Sequence, residues 1–420
     1  MAPFAGMEPD EATPLLMHAG SGQASVARTA GNIFISIVGA GVLGLPYTFR
    51  MSGWAVAASS VVGAASLTYY CMLLLIGCKD SIAKGGGMRV RTYGDLGQMA
   101  YGSAGRLTVD ILICVSQIGC CVSYLIFLGQ NVSSVVTGFT TRSSDFIFIM
   151  IVFQIILSTF RSLHSLAPFS IFADVCNVAA MALVIKDDLQ SAKSFQDLNP
   201  YTTLTAIPFA MGVAIYCFEG FGMTLTLEAS MKRPEKFPRI LALDFVAITS
   251  LYLMFGFIGY WAFGDYTQDI ITLNLPHDLS TILVKVGLCI GLFFTYPVMM
   301  YPVHEIFEMK LLQSSWFQTK VQPSSQLHSL LPIALRGLSV LGTAILAVSV
   351  PGFGIFISLV GGTVCALLAF VLPSMFHMQL CGTTASCQSL IIDAVLILLG
   401  VSFAVYSTYA AVASVFLTPS

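Results

Sequence analysis

The apolar residues of this chain fall into long continuous runs, not into the alternation of a half-buried strand or the narrow stripe of a surface helix. A helix needs about 20 apolar residues to cross the hydrocarbon layer of a membrane. Runs of that size predict eleven spans, at residues 30–49, 52–77, 107–129, 145–160, 166–186, 203–229, 240–263, 280–303, 330–350, 353–376 and 389–416. The chain therefore reads as an all-α integral membrane protein. Tyr93-Gly94-Asp95 opens a polar stretch between the second and third spans and predicts a short interfacial helix there.

Two runs are interrupted near their middles. Gly31–Phe49 is broken by Gly39-Ala40-Gly41, and Leu204–Leu227 by Phe218-Glu219-Gly220-Phe221-Gly222. Lipid offers no partner for freed backbone groups, so such breaks are tolerated where N–H and C=O face a cavity or a ligand. The breaks lie five spans apart, so the second rod runs opposite to the first. That spacing predicts an inverted repeat, residues 28–186 against 187–380. Residues 381–420 then hold an added eleventh span and a short end, and residues 1–27 form a flexible tail.

Lys and Arg set the orientation. Placing the N-terminus in the cytosol puts fourteen of them on the inside and four on the outside, with Lys285 within a span. The positive-inside rule then makes the N-terminus cytosolic and the C-terminus lumenal.

Composition narrows the class. The chain is 56% hydrophobic and 10% charged, with mean hydropathy +0.84; a soluble protein carries about 25% charged residues. The lipid bilayer is its main solvent. A net charge of −2 excludes a nucleic-acid partner, which requires a basic stripe. Nine of the eleven cysteines sit in or beside apolar runs and read as packing residues, while Cys381 and Cys387 share a short loop. There is no H-E-x-x-H, G-x-S-x-G or Walker loop, so neither an enzyme nor an ATP-driven pump is indicated, and no cofactor or metal is called for. Residues 1–27 lack a signal-peptide pattern. Glu11, Leu15 and Leu16 fit the acidic dileucine pattern E-x-x-x-L-L, which resembles a sorting signal read by an adaptor and implies delivery to a vacuole or lysosome-like membrane.

The breaks carry the candidate chemistry. Glycine lets the backbone unwind and approach a ligand. The half-helix starting near Val42 presents free N–H groups and the positive end of its dipole, suited to an α-carboxylate. Ile37, Val38, Gly39, Ala40 and Gly41 on one rod, with Cys217, Phe218, Glu219 and Gly220 on the other, are the candidate substrate-binding residues. The rival reading of the glycines is close helix packing. Glu219 puts a carboxyl group at mid-membrane, where ionisable groups are costly and usually functional. It can pair with an α-ammonium or carry a proton; the rival reading is a structural hydrogen bond. Glu228 is a second proton-coupling or gating candidate, through Lys232 or Arg233, against a plain helix-end ion pair. Asp110, Asp174 and Asp244 read as packing or gating groups, Lys285 as snorkelling, and His164 and His304 as solvated. Pro297 and Pro302 predict a kinked eighth span. Asn131-Val132-Ser133 is a glycosylation sequon close to the membrane.

Gly31-Asn32-Ile33 leading into Gly39-Ala40-Gly41-Val42-Leu43-Gly44-Leu45-Pro46-Tyr47 resembles the first span of the amino acid/auxin permease family. Phe218-Glu219-Gly220 with Leu227-Glu228 resembles its sixth span. Thr295-Tyr296-Pro297 with Tyr301-Pro302 and Glu305 is similar to its eighth, and Tyr93-Gly94-Asp95-Leu96-Gly97 to its second loop. With the dileucine tail, the plant and fungal vacuolar branch is most similar. The resemblance implies eleven helices in a LeuT-type 5+5 inverted repeat plus one, and proton-linked transport of neutral L-amino acids out of the vacuole. One departure is Thr226, where relatives often have Pro. An alternative function is an amino-acid sensor with little flux, and a third is a channel.

Overall fold

The structure, a computed structural model, describes residues 24–86, 90–136, 143–159, 175–176, 178–186, 198–276, 278–314, 317, 325–350 and 352–417. Among these the only bridge of strand type joins Ala24 to Met231, and nearly everything else is helical. Helix α1 (Val26–Ile37) starts on Ser25, whose hydroxyl accepts from the Arg28 N–H. It stops where Val38 and Gly39 become extended. A five-residue 3-10 turn, Ala40–Gly44, leads into α2 (Leu45–Ser52), and the two arms of this rod are bent by 46°. After it come α3 (Trp54–Lys84), α4 (Tyr93–Val135) and α5 (Ser143–Ser158).

The second rod is α6 (Ala206–Cys217) and α7 (Phe221–Ser230), parted at Phe218-Glu219-Gly220. It is followed by α8 (Phe237–Phe263), α9 (Leu279–Gln313) and α10 (Ser325–Ser349). Helix α11 (Phe353–Val360) passes through a loosened π-type stretch, 361–371, into α12 (Leu372–Cys381), and α13 (Cys387–Leu417) ends the chain.

Among the described residues eight helical stretches are long and apolar enough to cross a membrane, counting α6 with α7 and α11 with α12 as one each; the bent first rod makes a ninth, and α5 is a shorter apolar helix of 16 residues. Ten of the expected spans therefore have a helix in place. The other, 166–186, is helical at 178–186, and the rest of it lies largely outside the described residues. Glu11, Leu15 and Leu16, with Asp174 and His164, also lie outside them.

Local chemistry explains several turns. Thr92 and Asp95 cap α4 reciprocally, each side chain accepting from the other's backbone N–H at 3.1 Å. Tyr101 and Gly102 then leave helical geometry, Gly102 at φ 64°, which glycine adopts without steric cost. This separates the expected interfacial helix from the span that follows. Asp278 caps α9 by accepting from the Thr281 N–H at 2.8 Å, which holds its carboxyl below the usual carboxylate range.

Pro297 has no N–H for the Phe293 carbonyl four residues back. The Gln154 amide of α5 donates to that carbonyl instead, at 2.9 Å. Helix α7 runs unbroken through Thr226.

Several sequence expectations are corrected by burial. Lys285 does not snorkel; it is 1% exposed and its Nζ donates to Ser134 Oγ at 3.2 Å. His304 is buried and hydrogen-bonded to Ser339 Oγ at 2.9 Å rather than solvated. Asn131 of the sequon is buried too. Its Nδ2 donates to the Phe127 carbonyl and its Oδ1 accepts from Thr272, and with 0% exposure the side chain has no room for a glycan.

Glycines set the closest helix approach. A Cβ on Gly361 would strike the Gly212 carbonyl oxygen, so α6 and the 361–371 stretch meet backbone to backbone. Gly361→Ala is expected to lower thermal stability by about 1–3 kcal/mol through overpacking. Gly342→Ala, with nothing within 4 Å of the new methyl, is the control and should leave the melting temperature unchanged. Equal melting temperatures for the two variants would contradict the close contact.

Candidate functional site

The two breaks meet in space. A Cβ on Gly41 would lie 2.9 Å from the Tyr216 ring and 3.2 Å from Cys217 Sγ; one on Gly220 would lie 3.3 Å from Ile37. Only glycine permits that approach. Around the junction opens a partly open cavity of about 120 Å³. Its walls include Ile37, Val38, Gly39, Ala40 and Gly41 from the first rod, and Cys217, Glu219 and Gly220 from the second. Helix α4 adds Gln117, Cys120 and Tyr124; α9 adds Leu288, Gly291, Leu292, Thr295 and Met299.

The backbone at the breaks is tightly accounted for. At the end of α6, the Phe218 N–H serves the Ala214 and Ile215 carbonyls and the Glu219 N–H serves Tyr216. The Cys217 carbonyl has no further turn to bond. At the end of α1 the Val38 N–H closes on Phe34 and leaves Ile37 in the same position. Both carbonyls are taken by one group, the hydroxyl of Tyr252 on α8, at 3.1 Å from each. A hydroxyl carries one proton, so the two oxygens share it. Tyr252 is fully buried and its ring lies 5.1 Å from Phe218.

Sequence reasoning missed Tyr252. A Tyr in an apolar run has the same pattern as a core aromatic, and its partners are 215 and 35 residues away. Tyr216 was missed likewise; its hydroxyl bonds Ser123 of α4 at 2.7 Å.

Of the expected binding residues, only Phe218 is kept from the cavity. Its ring is fully buried and stacks on Phe245 at 5.6 Å, because the unwound turn points it toward α8. Glu219 is partly exposed, on the cavity wall. Among the described residues it is the only carboxylate there, and no Lys, Arg or His joins it. Gln117 contributes a buried Oε1 with no hydrogen-bond partner among the described residues.

Glu228 lies outside this cavity. Its partner is Lys79 at the end of α3, not Lys232 or Arg233. Beside it Ala24 is threaded against the end of α7, donating to the Ser230 carbonyl at 3.0 Å and accepting from Lys232 at 3.1 Å. A strap and an ion pair thus close the end of the bundle where Lys79 and Lys232 stand. The cavity wall extends toward that end, through Ile35 and Ser36 on one rod and Met223 on the other.

The opposite end is sealed by the 264–276 loop. Ile270, Ile271 and Thr272 are fully buried, Arg50 donates to the Thr267 carbonyl, and Asp269 accepts from the Phe353 N–H. Asp110 and Asp244 line neither closure nor cavity.

Two broken rods meeting at a shared cavity in an all-helical bundle are the arrangement of a membrane transporter. The inward-facing structure of Mhp1 superposes with TM-score 0.61 at 15% identity, covering 96% of this chain and 94% of that one, which shows a shared LeuT-type fold. The family described as transmembrane amino acid transporter protein matches residues 22–413, and the chain belongs to it. It is similar to amino acid transporter ANT1 of Arabidopsis thaliana, 46% identical over 93% of each chain. It is also similar to vacuolar amino acid transporter 3 of Schizosaccharomyces pombe, 25% identical over 96% of this chain and 61% of that one.

Two outcomes follow from this geometry. Tyr252→Phe removes one hydroxyl and leaves two buried carbonyls orphaned, worth about 1–3 kcal/mol. Uptake in vesicles should fall about tenfold, 1.4 kcal/mol being a factor of ten, at unchanged expression; wild-type uptake would remove the hydroxyl from the site. Lys79→Ala strands the buried Glu228 charge, a loss of about 3 kcal/mol or more in thermal stability. Adding Glu228→Gln should recover most of it, and no recovery would mean the two groups are not coupled.

Proposed function

We propose that this chain is a proton-linked secondary transporter that moves neutral amino acids across the vacuolar membrane, from vacuole to cytosol, by alternating access. The observation that carries the reading is Glu219, the one carboxylate on the cavity wall among the described residues, beside two unwound helix ends. The N–H groups at the start of the Ala40–Gly44 turn suit an α-carboxylate, and the carbonyl ends of α1 and α6 suit an α-ammonium. The remaining wall is Gly, Cys, Tyr, Leu, Met, Thr and other uncharged residues, which favours a substrate whose own side chain is uncharged.

Similar proteins with vacuolar names support the membrane assigned. The basic end of the bundle would face the cytosol, as lysine and arginine do in membrane proteins. An acidic vacuole then supplies protons to the side opposite that end. A proton on Glu219 neutralises that carboxylate, and its release on the cytosolic side resets the carrier.

Glu219→Gln keeps shape and hydrogen bonding but removes the titration. Uptake driven by a pH gradient in reconstituted vesicles should be abolished, while exchange of labelled for unlabelled amino acid persists. Full gradient dependence in this variant would exclude Glu219 as the proton group.

A further inference from the structure

The unwound rods offer backbone groups, so they fit what every amino acid has in common. A substrate's own side chain must meet the walls that face them, α4 and α9. Gln117 and Cys120 line the cavity from α4, and Leu288, Leu292, Thr295 and Met299 line it from α9. The two helices are tied together beside it. The Cys121 thiol donates to the Tyr296 carbonyl at 3.7 Å, and the Tyr296 hydroxyl is bonded to Thr343 of α10 at 2.6 Å.

Several polar side chains of the cavity wall are already engaged. Ser36 and Thr295 donate to the Ile33 and Gly291 carbonyls, both at 2.9 Å. Tyr216 is bonded to Ser123, and Tyr252 to the two carbonyls at the breaks. Gln117 differs: its Oε1 is covered and unpartnered among the described residues. A buried acceptor left unpaired is costly. The last torsion of a carboxamide is broad, so the group can turn either its oxygen or its NH2 to a ligand. Gln117 stands one helical turn from Cys120, whose thiol approaches Glu219 and Tyr216.

We propose that Gln117 is the specificity-determining residue of this cavity, selecting amino acids whose side chains end in a carboxamide or a hydroxyl over aliphatic ones of the same size. The inference rests on the reading of the cavity as an amino-acid site and names the class of substrate it prefers. A carboxamide or hydroxyl brings a donor for the Gln117 oxygen and an acceptor for its NH2. An aliphatic side chain of equal shape leaves the amide unpaired in the closed cavity. A site built to hydrogen-bond a substrate group rejects the analogue that lacks it far more strongly than an apolar pocket rejects a missing methylene. The amide itself is uncharged, so it offers no compensation to a cationic or anionic side chain.

The test is counterflow by the purified full chain in liposomes at equal pH on both sides. It compares matched pairs of labelled amino acids: threonine with valine, asparagine with leucine, and glutamine with methionine. Wild type is expected to favour the polar member of at least one pair by about tenfold or more. Gln117→Met, equal in length and without hydrogen-bonding groups, should lose most of that preference. Should it fail to fold, Gln117→Asn, which withdraws the amide by one methylene, reads the same ratio and should lower it. Equal rates within every pair for wild type, or a preference unchanged in the variant that folds, would overturn the proposal. Counterflow needs no pH gradient, so failure of Glu219 as the proton group leaves these ratios readable. Exchange of no amino acid at all would refute the transport reading and the proposal with it, whereas equal rates within pairs refute the role of Gln117 alone.

Discussion

Everything in this protein depends on the absence of a hydrogen-bond partner in lipid. A helix inside a bilayer can be interrupted only where protein or ligand accepts what the missing turn would have bonded. The chain meets that demand at two places, and the solutions differ. At the end of α6 the carbonyls of Ala214, Ile215 and Tyr216 are served by the next two N–H groups. The residual carbonyl there, and its counterpart at the end of α1, fall to one tyrosine hydroxyl from α8. The breaks are therefore one structural unit, joined through α8.

The two ends of the bundle are closed by different physics. At the acidic end the 264–276 loop is packed into the protein, with Ile270 and Ile271 fully buried and Asp269 bonded to the start of α11. Opening that end requires removing apolar surface from contact and breaking several hydrogen bonds together. At the basic end closure rests on the Lys79–Glu228 pair and a short strap of backbone at Ala24. The cavity wall already reaches toward this second end.

Much of this was legible in the sequence because membranes restrict the alternatives. Glycine pairs and an acid in otherwise apolar runs had few readings, and Gly39–Gly41 and Glu219-Gly220 fell where the runs predicted. Other features had no local signature. Phe218 was expected to meet substrate, but the direction of a side chain at an unwound turn follows from the turn's dihedrals, and the ring points to Phe245. Tyr252 looks like any core aromatic until its partners are seen. Glu228 had two basic residues close in sequence and one 149 positions away, and the distant one is its partner. Lys285 and His304 were placed in water on the habit of their residue types, yet each is buried with a serine hydroxyl to bond.

The most direct measurement is an experimental structure of the chain in lipid with an amino acid bound. The account predicts the zwitterion between residues 39–42 and 217–220, its carboxylate on the amides that open the Ala40–Gly44 turn and its ammonium toward the carbonyl ends of α1 and α6. A ligand seated elsewhere, or either rod continuous through its middle, would contradict it.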